Sequence, residues 1–373
     1  MRCVDDDALL AAADAVLRPL LGTVSLAAEG ELPGSDRSSV VRARVRTGTD
    51  EFAVVLKTPT GSGLSAVREE AALRVASRLD LPGPVRLLGS SADPPLLVLA
   101  DAGRHPTLAD RLMDTDAGAA EAALLRWATT IAELQASSAE CRADFERELT
   151  ALSPFGPLPG DPTPDDLAAA AAALARDLPR IGVTPPAAPL DELRSVCDEF
   201  GTTASGLVPG DTCPDNAVDA PDGLVLLDFE AASHRHVAWE GAYLTVPWPT
   251  CWCSWRLPQD VAGRAVGAWR ERLGPVAAGS AFAADLDRTT IAWVFLSTAG
   301  LLPAALDGDP PPRNPAFVGR RPTRRAMIQH RLAVAAALET PVLPALRALA
   351  EQVHAATLAA WGRCELDLAP AFR

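Results

Sequence analysis

The sequence predicts an α+β fold in two lobes, a small sheet-rich lobe followed by a larger, mainly helical one. Strand-like segments are concentrated between residues 23 and 57, helical spacing dominates after residue 103, and short strands return only within 207–230. The chain has 373 residues, which corresponds to about two domains. We therefore expect an N-lobe over residues 1–102 and a C-lobe over residues 103–373.

The N-lobe pattern begins with three strands and continues with one helix. The segments VSLAAEGEL, SVVRARVR and EFAVVLK carry β-branched residues with partial alternation, and GTD at 48–50 predicts a hairpin turn. Residues 65–79 then repeat apolar side chains every four positions, which predicts a helix that ends before Pro82. The apolar run at 94–101 predicts a buried strand. These elements form a small sheet with one helix inserted after its third strand.

The C-lobe pattern is helical with one interruption. Residues 119–135 form an amphipathic helix, the Pro/Gly-rich stretch 153–166 predicts a surface connection, and an Ala-rich helix follows it. Residues 207–230 break the helical pattern with two short strands around a loop. From residue 258 onward the chain returns to helices, apart from a Pro-rich loop at 306–325.

Composition narrows the function classes. The net charge of −14 argues against nucleic-acid binding, which needs a basic surface, and is compatible with a cationic ligand. Seven Cys in a long chain cannot form a fully paired disulfide framework. No signal peptide is recognisable, and the apolar stretches are Ala-rich and shorter than a membrane span. We expect a cytoplasmic protein with reduced thiols and no membrane partner; the sequence does not indicate an oligomeric state.

The segment LVPGDTCPDNAVDAPDGLVLLDFE at 207–230 carries the chemistry. A glycine turn presents Asp211, Asn216 follows five residues later, and an apolar strand leads to Asp228. One carboxylate can orient a hydroxyl group and accept its proton, while Asn216 and Asp228 supply the oxygen ligands that Mg²⁺ prefers. This arrangement is typical of phosphoryl transfer.

PGDTCPDN followed by LLDFE resembles the HGDxxxxN…DFE pattern of the aminoglycoside phosphotransferase and choline kinase family. The resemblance implies a two-lobed, protein-kinase-like fold that binds ATP or GTP with Mg²⁺. It assigns Asp211 the role of catalytic base and makes Asn216 and Asp228 the metal ligands. The matching motifs lie between about residues 25 and 245.

Further motifs resemble the family in the expected order. AVVLK ends in Lys57, which is the only Lys among 34 basic residues and stands where the family binds the α- and β-phosphates. REEAAL at 68–73 implies that Glu69 pairs with this Lys, with Glu70 as the alternative. LLVLADAG at 96–103 is similar to the hinge that borders adenine. Ser38 and Ser39 lie in GSDRSSVVRARV at 34–45, in the place of the family's phosphate-covering hairpin, which implies that they bind the nucleotide.

The sequence departs from the family pattern at several positions. Pro209 replaces a His that braces the catalytic loop, and its fixed φ offers a different kind of rigidity. Gln135 replaces a His common in the family's long C-lobe helix. HVAWEGAYL at 236–244 resembles the family's DPAxDLAYL motif, with Glu240 at the position of a buried Asp.

The segment PWPTCWCSWRLP at 247–258 is rich in Cys and Trp. One interpretation is a metal site in which Cys213, His234 and His236 join Cys251 and Cys253. CxC is not a standard zinc spacing, so buried thiols packed with Trp are the favoured interpretation. Trp252 and Trp255 are alternative candidates for lining an acceptor pocket.

These observations predict an ATP-dependent phosphotransferase that acts on a hydroxyl group of a small molecule. The resemblance and the acidic charge make an aminoglycoside-like, cationic acceptor the first hypothesis. Two alternatives stay open at this point: a nucleotide-binding pseudoenzyme weakened by Pro209, and a partner-binding protein on a kinase scaffold.

Overall fold

The structure is a computed structural model that describes residues 6–32, 38–48, 50–60, 63–154, 156–311 and 319–373. The hairpin turn predicted at 48–50 includes residue 49, which lies outside the described residues, as do residues 34–37 of the predicted phosphate-covering hairpin and residues 312–318 of the loop at 306–325.

The N-terminal part is a five-stranded antiparallel sheet in the order β1-β2-β3-β5-β4. Its elements are α1 (Asp6–Leu21), β1 (Ser25–Glu31), β2 (Ser38–Arg46), β3 (Glu51–Pro59), α2 (Leu64–Leu79), β4 (Leu87–Ala92) and β5 (Pro95–Ala100). The three early strands, the helix after the third strand and the strand near residue 95 are as the sequence predicts. The helix α1 and the strand β4 are not predicted from the sequence.

The helix α1 covers one face of this sheet. Leu9, Ala13 and Leu17 recur every four residues and are buried against Val41 and Val54 on β2 and β3. On the opposite face, Leu97 and Leu99 of β5 share one core with Ala72 and Val75 of α2.

The remainder of the chain is mainly helical. Its helices are α3 (Leu108–Met113), α4 (Ala117–Ser137), α5 (Arg142–Leu152), α6 (Thr163–Asp177), α7 (Ala187–Ser195), α8 (Ala238–Thr245), α9 (Gln259–Leu273), α10 (Gly279–Leu306), α11 (Arg324–Ala337) and α12 (Pro344–Trp361). Four short strands interrupt them as two antiparallel pairs: β6 (Ser205–Val208) with β9 (Ser233–His236), and β7 (Ala217–Ala220) with β8 (Gly223–Leu226). Because β6 and β9 pair, the two ends of the segment 209–232 lie side by side.

One large apolar core extends across both parts of the chain. It includes Leu73 on α2, Leu99 on β5 and Trp127 on α4. The backbone adds a direct connection, since Val85 N donates to Leu226 O at 2.9 Å and Leu226 N donates to Gly83 O at 2.8 Å. The position of Asp228, two residues after Leu226, is thereby fixed relative to the sheet.

The helix α10 differs from the expectation that apolar stretches are too short to span a membrane. Among the described residues, it is long and apolar enough by length and composition alone. Its most apolar window is 67% buried inside the helical lobe, as is common for a central core helix.

Candidate active site

A cleft of about 240 Å³ lies between the sheet and the helical part. Val55, Val85, Leu99 and Leu227 form apolar walls, and residues 100–103 after β5 form one edge. The polar groups that line it are Ser38, Lys57, Glu69, Asp101, Asp215, Asn216 and Asp228. An apolar slot with a few convergent charges is the usual form of a small-ligand site.

The Lys57 side chain lies between two carboxylates at this cleft. Its ammonium Nζ is 2.6 Å from Glu69 Oε2 on α2 and 2.6 Å from Asp228 Oδ1. The family resemblance implies that Lys57 pairs with Glu69, and the two side chains are in contact in the structure. Glu70, the alternative partner, pairs with Arg74 instead.

Burial and charge act in opposite directions on this cluster. Burial lowers the pKa of Lys57, but attraction to Glu69 and Asp228 outweighs burial, so its pKa is raised and the ammonium stays charged. Burial raises the pKa of Glu69 to about 7, although the Lys57 charge lowers it. Glu69 is 2% exposed, so its charge depends on its contact with Lys57.

Asp228 and Asn216 occupy neighbouring positions on the C-lobe side of the cleft. Asp228 follows β8 with a φ of 59°, in the left-handed region that few residues other than Gly adopt. Leu227 N donates to Asn216 O at 2.8 Å, which joins the two segments. The Asn216 side chain donates from Nδ2 to Asp211 O at 3.1 Å. Both oxygen-bearing side chains thus line the same wall of the cleft.

Asp211 lines an adjoining cavity of about 730 Å³ rather than the cleft itself. Its Oδ1 accepts a hydrogen bond from Thr250 Oγ1 at 2.5 Å. Burial raises its pKa, and hydrogen bonds from Cys213 and Thr250 oppose that increase. The predicted residues therefore form two linked groups, with Lys57, Glu69, Asn216 and Asp228 in the cleft and Asp211 next to it.

The loop around Pro209 is held by groups other than a His at that position. Gly210 has a φ of 84°, and a Cβ built on it would lie 1.9 Å from Ala231 O. Tyr243 OH contacts Gly210 O at 3.5 Å and Thr250 Oγ1 at 3.1 Å. A Tyr and a Thr from outside the loop thus contact its backbone and its carboxylate.

Gln135 and Glu240 lie in one buried polar group beneath this loop. Gln135 Nε2 donates to Val237 O at 3.0 Å, and its Oε1 accepts from Trp269 Nε1 at 2.9 Å. Glu240 forms an ion pair with Arg235. Glu240 is therefore fully buried and its charge is compensated by Arg235.

Ser38 and Ser39 face opposite sides of β2. Ser38 lines the cleft together with Val40, whereas alternation places Ser39 on the side of Val41, which faces α1. The Ser39 side chain therefore points away from the cleft, and only Ser38 is placed to contact a bound nucleotide through its side chain.

The thiols of the 247–258 segment do meet Cys213, but the two His do not join them. Cys251 Sγ lies 2.9 Å from Cys253 Sγ, and Cys213 Sγ, Cys251 Sγ and an Asp215 oxygen lie within 4.8 Å of one another. His234 Nε2 instead contacts Ser138 O, and His236 Nε2 contacts Thr202 Oγ1. The five-residue site considered from the sequence is thus corrected to a cluster of Cys and Asp.

The Trp residues near this second cavity also differ from the sequence-based candidates. Trp252 donates to Asp215 and Trp255 donates to Arg320 O, and neither lines the cavity. Trp239 and Trp293 line it, with the Arg235 guanidinium 5.7 and 5.9 Å from their ring centroids. Trp239 belongs to the α8 motif, but no sequence signal indicated that α10 would supply the second ring.

Asp101 is a further site residue that the sequence analysis did not single out. It follows β5 at the edge of the cleft and forms an ion pair with Arg42 on β2. Its other oxygen accepts from Gly103 N at 3.2 Å. It lies inside the predicted hinge segment at 96–103, so its proximity to the cleft could have been found there.

No protein-family model matches the sequence, and no curated protein matches it. Solved structures do match its architecture. A Ralstonia eutropha protein provisionally described as an aminoglycoside phosphotransferase is 13% identical, with a TM-score of 0.55 over 95% of this chain and 97% of that chain. The choline kinase of Cryptosporidium parvum is 8% identical, with a TM-score of 0.54 over 87% of this chain and 93% of its own.

The ethanolamine kinase of Plasmodium vivax is also similar. It is 9% identical, with a TM-score of 0.53 over 90% of each chain. At such low identities the agreement concerns the fold, and it confirms the α+β, two-lobed architecture that the sequence predicts. The chain therefore has the fold of the aminoglycoside phosphotransferases and choline kinases.

Proposed function

We propose that this protein is a phosphotransferase that moves the γ-phosphate of ATP, or of GTP, to a hydroxyl group of a small molecule. The observation that carries the proposal is the Lys57 ammonium, 2.6 Å from both Glu69 and Asp228 at the wall of the interlobe cleft. A charged ammonium held in this position can bind nucleotide phosphates. The fold shared with small-molecule kinases supports the same reaction class.

Asn216 and Asp228 fit a magnesium site. Asn216 donates its amide hydrogen to Asp211 O, so its side-chain oxygen is the atom available to a cation. Together with the Asp228 carboxylate it supplies the hard oxygen ligands that Mg²⁺ prefers. When bound, Mg²⁺ would neutralise charge on the nucleotide phosphates.

Asp211 would orient the acceptor hydroxyl and accept its proton. It lines the second cavity, next to the cleft, and Thr250 holds one of its oxygens. A carboxylate with a raised pKa is a stronger base than an exposed one, which suits proton acceptance from a hydroxyl group.

The lining of the second cavity supports a polyhydroxylated, cationic acceptor such as an aminoglycoside. Asp166 and Glu230 add two carboxylates to that of Asp211, so three carboxylates face the two guanidinium groups of Arg68 and Arg235. The rings of Trp239 and Trp293 already contact Arg235, so they are not an open cage for a quaternary ammonium such as choline. A ligand rich in hydroxyl and amino groups matches this mixture of charges.

The test compares Asp211→Asn and Asp228→Ala with the exposed control Asp222→Asn, which lies in the turn between β7 and β8. Nucleotide binding is measured by calorimetry with Mg·ATP, and turnover by ADP release with a panel of aminoglycosides and other alcohols. Asp211→Asn should lower turnover by roughly 10²–10⁴-fold and keep nucleotide binding. Asp228→Ala should weaken nucleotide binding. Wild-type turnover in both variants would refute the assigned roles.

The pseudoenzyme alternative rests on Pro209, and the contacts of Tyr243 and Thr250 argue against it. Because these two hydroxyls already contact the loop, Pro209→His should change turnover by less than about threefold. A wild-type protein that is inert with every acceptor, but gains turnover in Pro209→His, would show that the loop is defective. A protein that binds no nucleotide at all would leave the partner-binding alternative.

A further inference from the structure

A compact group of sulfur and oxygen ligands lies directly behind the catalytic loop. We call it the thiol cluster: Cys213, Asp215, Cys251 and Cys253. The three Cys side chains are buried, and one ligand atom each from Cys213, Asp215 and Cys251 lies within 4.8 Å of the other two. None of these residues is assigned as a base or as a magnesium ligand in the phosphotransfer proposed above.

The spacing within the cluster is close to that of a tetrahedral zinc site. Zinc–sulfur and zinc–oxygen bonds of about 2.3 and 2.0 Å imply a sulfur–oxygen separation of about 3.5 Å across a tetrahedron. Cys251 Sγ and Asp215 Oδ1 are 3.5 Å apart. Cys253 Sγ is 2.9 Å from Cys251 Sγ, closer than the separation of about 3.8 Å between two sulfur ligands of a tetrahedral zinc ion, so the Cys253 side chain would rotate away from Cys251 to reach the fourth position.

Hydrogen bonds from the Trp252 side chain and from the Cys253 backbone orient the ligands of the cluster. Trp252 Nε1 donates to Asp215 Oδ2 at 2.8 Å, which leaves Oδ1 directed at Cys251. The backbone N–H of Cys253 donates to Cys251 Sγ at 3.4 Å. Partners of this kind fix ligand orientation around protein metal ions and tune the ligands that they contact.

A divalent ion would offset most of the local negative charge. Arg331 is fully buried and donates to Pro247 O at 3.0 Å and to Pro249 O at 3.5 Å, in the segment that leads to Cys251. Three thiolates and the Asp215 carboxylate carry four negative charges, of which Arg331 and a divalent cation together would neutralise three. Buried charges are stable only when compensated in this way.

The ion has a route into the cluster and a preferred identity. Asp215 lines the nucleotide cleft, so a cation can enter from there. Thiolate ligands select Zn²⁺ over Mg²⁺, which prefers oxygen ligands and stays hydrated. A zinc ion here would not compete with the magnesium ligands Asn216 and Asp228.

We propose that Cys213, Asp215 and Cys251 bind Zn²⁺, with Cys253 as the fourth ligand. The ion would fasten the loop that carries Asp211 to the segment that carries Thr250, since Cys213 lies two residues from Asp211 and Cys251 is adjacent to Thr250. It would thereby brace the catalytic loop at a place where this sequence has no His at position 209. The proposal does not depend on the phosphotransfer reaction.

The test measures metal content and does not require activity. The full chain is purified with a reducing agent, zinc is counted by elemental analysis, and Co²⁺ is titrated to detect the charge-transfer absorption of cobalt–thiolate bonds. We expect about one zinc per chain. Cys213→Ser and Cys251→Ser should retain less than about a tenth of that, and Asp215→Asn should bind at least about tenfold more weakly. The matched controls Cys197→Ser and Cys364→Ser should bind like wild type.

The wild-type cobalt titration keeps the proposal falsifiable even if a variant fails to fold. Reduced wild-type protein that binds neither Zn²⁺ nor Co²⁺ more tightly than about 10 μM would overturn it. Equal loss of zinc in Cys364→Ser and Cys251→Ser would also overturn it. So would a mass two hydrogens below the reduced value with Cys251 in a disulfide and no metal bound.

Discussion

Lys57 illustrates at the residue scale why one side chain cannot be exchanged for a similar one. Its ammonium contacts Glu69 and Asp228 from a position that is only 12% exposed. Within the described part of the chain, Glu69 Oε1 has no hydrogen-bond partner. The planar fork of an Arg would contact both Glu69 oxygens and move the positive charge away from Asp228.

We therefore expect Lys57→Arg to lower kcat/KM by at least about 10²-fold, comparable with the loss of one charge-stabilising donor. The measurement is ADP release with saturating acceptor, together with calorimetric binding of Mg·ATP. Arg46→Lys, on the exposed edge of β2, is the matched control and should be neutral. Full activity in Lys57→Arg would show that only a positive charge is needed at this position.

His330 on α11 gives a prediction about pH. Burial lowers its pKa to about 4, and repulsion from Arg256 and Arg331 acts in the same direction. Between about pH 6.5 and pH 4 the unfolded chain binds a proton that the folded protein does not, so the free energy of unfolding falls as pH falls. The contribution between pH 7 and pH 5 is about 2 kcal/mol. Between pH 7 and pH 5, the free energy of unfolding of His330→Gln, measured with urea, should therefore fall by about 2 kcal/mol less than that of the wild type. An equal fall in both proteins would contradict the assignment.

Which site residues the sequence could predict depends on how far apart their contacts lie along the chain. Asp211, Asn216 and Asp228 occur within one segment, so their spacing identifies them. Thr250 and Trp293 reach the same cavity from distant helices and loops, and no local pattern marks them. The sequence alone does not show which face of β2 the Ser39 side chain occupies. That face depends on the register of β2, which is set by its pairing with β3.

At the scale of elements, the loop that carries Asp211 depends on a close backbone approach. A Cβ on Gly210 would meet Ala231 O, and its φ of 84° is unfavourable for other residues. Gly210→Ala should therefore lower the free energy of unfolding by more than about 2 kcal/mol and abolish turnover. Gly267→Ala on α9 is the control, because nothing lies within 4 Å of its added Cβ, and it should be neutral or stabilising. Equal changes in the free energy of unfolding of Gly210→Ala and Gly267→Ala, measured with urea, would contradict this explanation.

The elements that the sequence did not predict have weak local signals. The strand β4 reads LLGSSA, without β-branched residues, and gains its conformation from pairing with β5. The helix α1 contains Pro19, which weakens the helical pattern, although Leu9, Ala13 and Leu17 recur correctly. Tertiary packing against the sheet decides both elements. The helices α2, α4 and α6 have clear amphipathic spacing and were predicted.

At the scale of the whole molecule, apolar packing divides the sheet between two cores. The face toward α1 belongs to a small core with Leu17, Val41 and Val54, whereas the face toward α2 belongs to the large core of the helical part. At the boundary expected after residue 102, the secondary structure changes from sheet to mainly helix. The large core extends across this boundary. Local opening on the α1 side need not disturb the residues that line the cleft.

This division predicts where the protein opens first. Leu17 is fully buried in the small core, so Leu17→Ala should cost about 2–5 kcal/mol. Hydrogen exchange should become faster in α1, β1 and β2 and remain slow in α4 and α10. Leu193→Ala, which truncates an equally buried side chain on α7, is the matched control and should accelerate exchange around α7 instead. Uniform acceleration throughout the chain in Leu17→Ala would show that both cores unfold as one cooperative unit, because a single unit exposes all of its amides together.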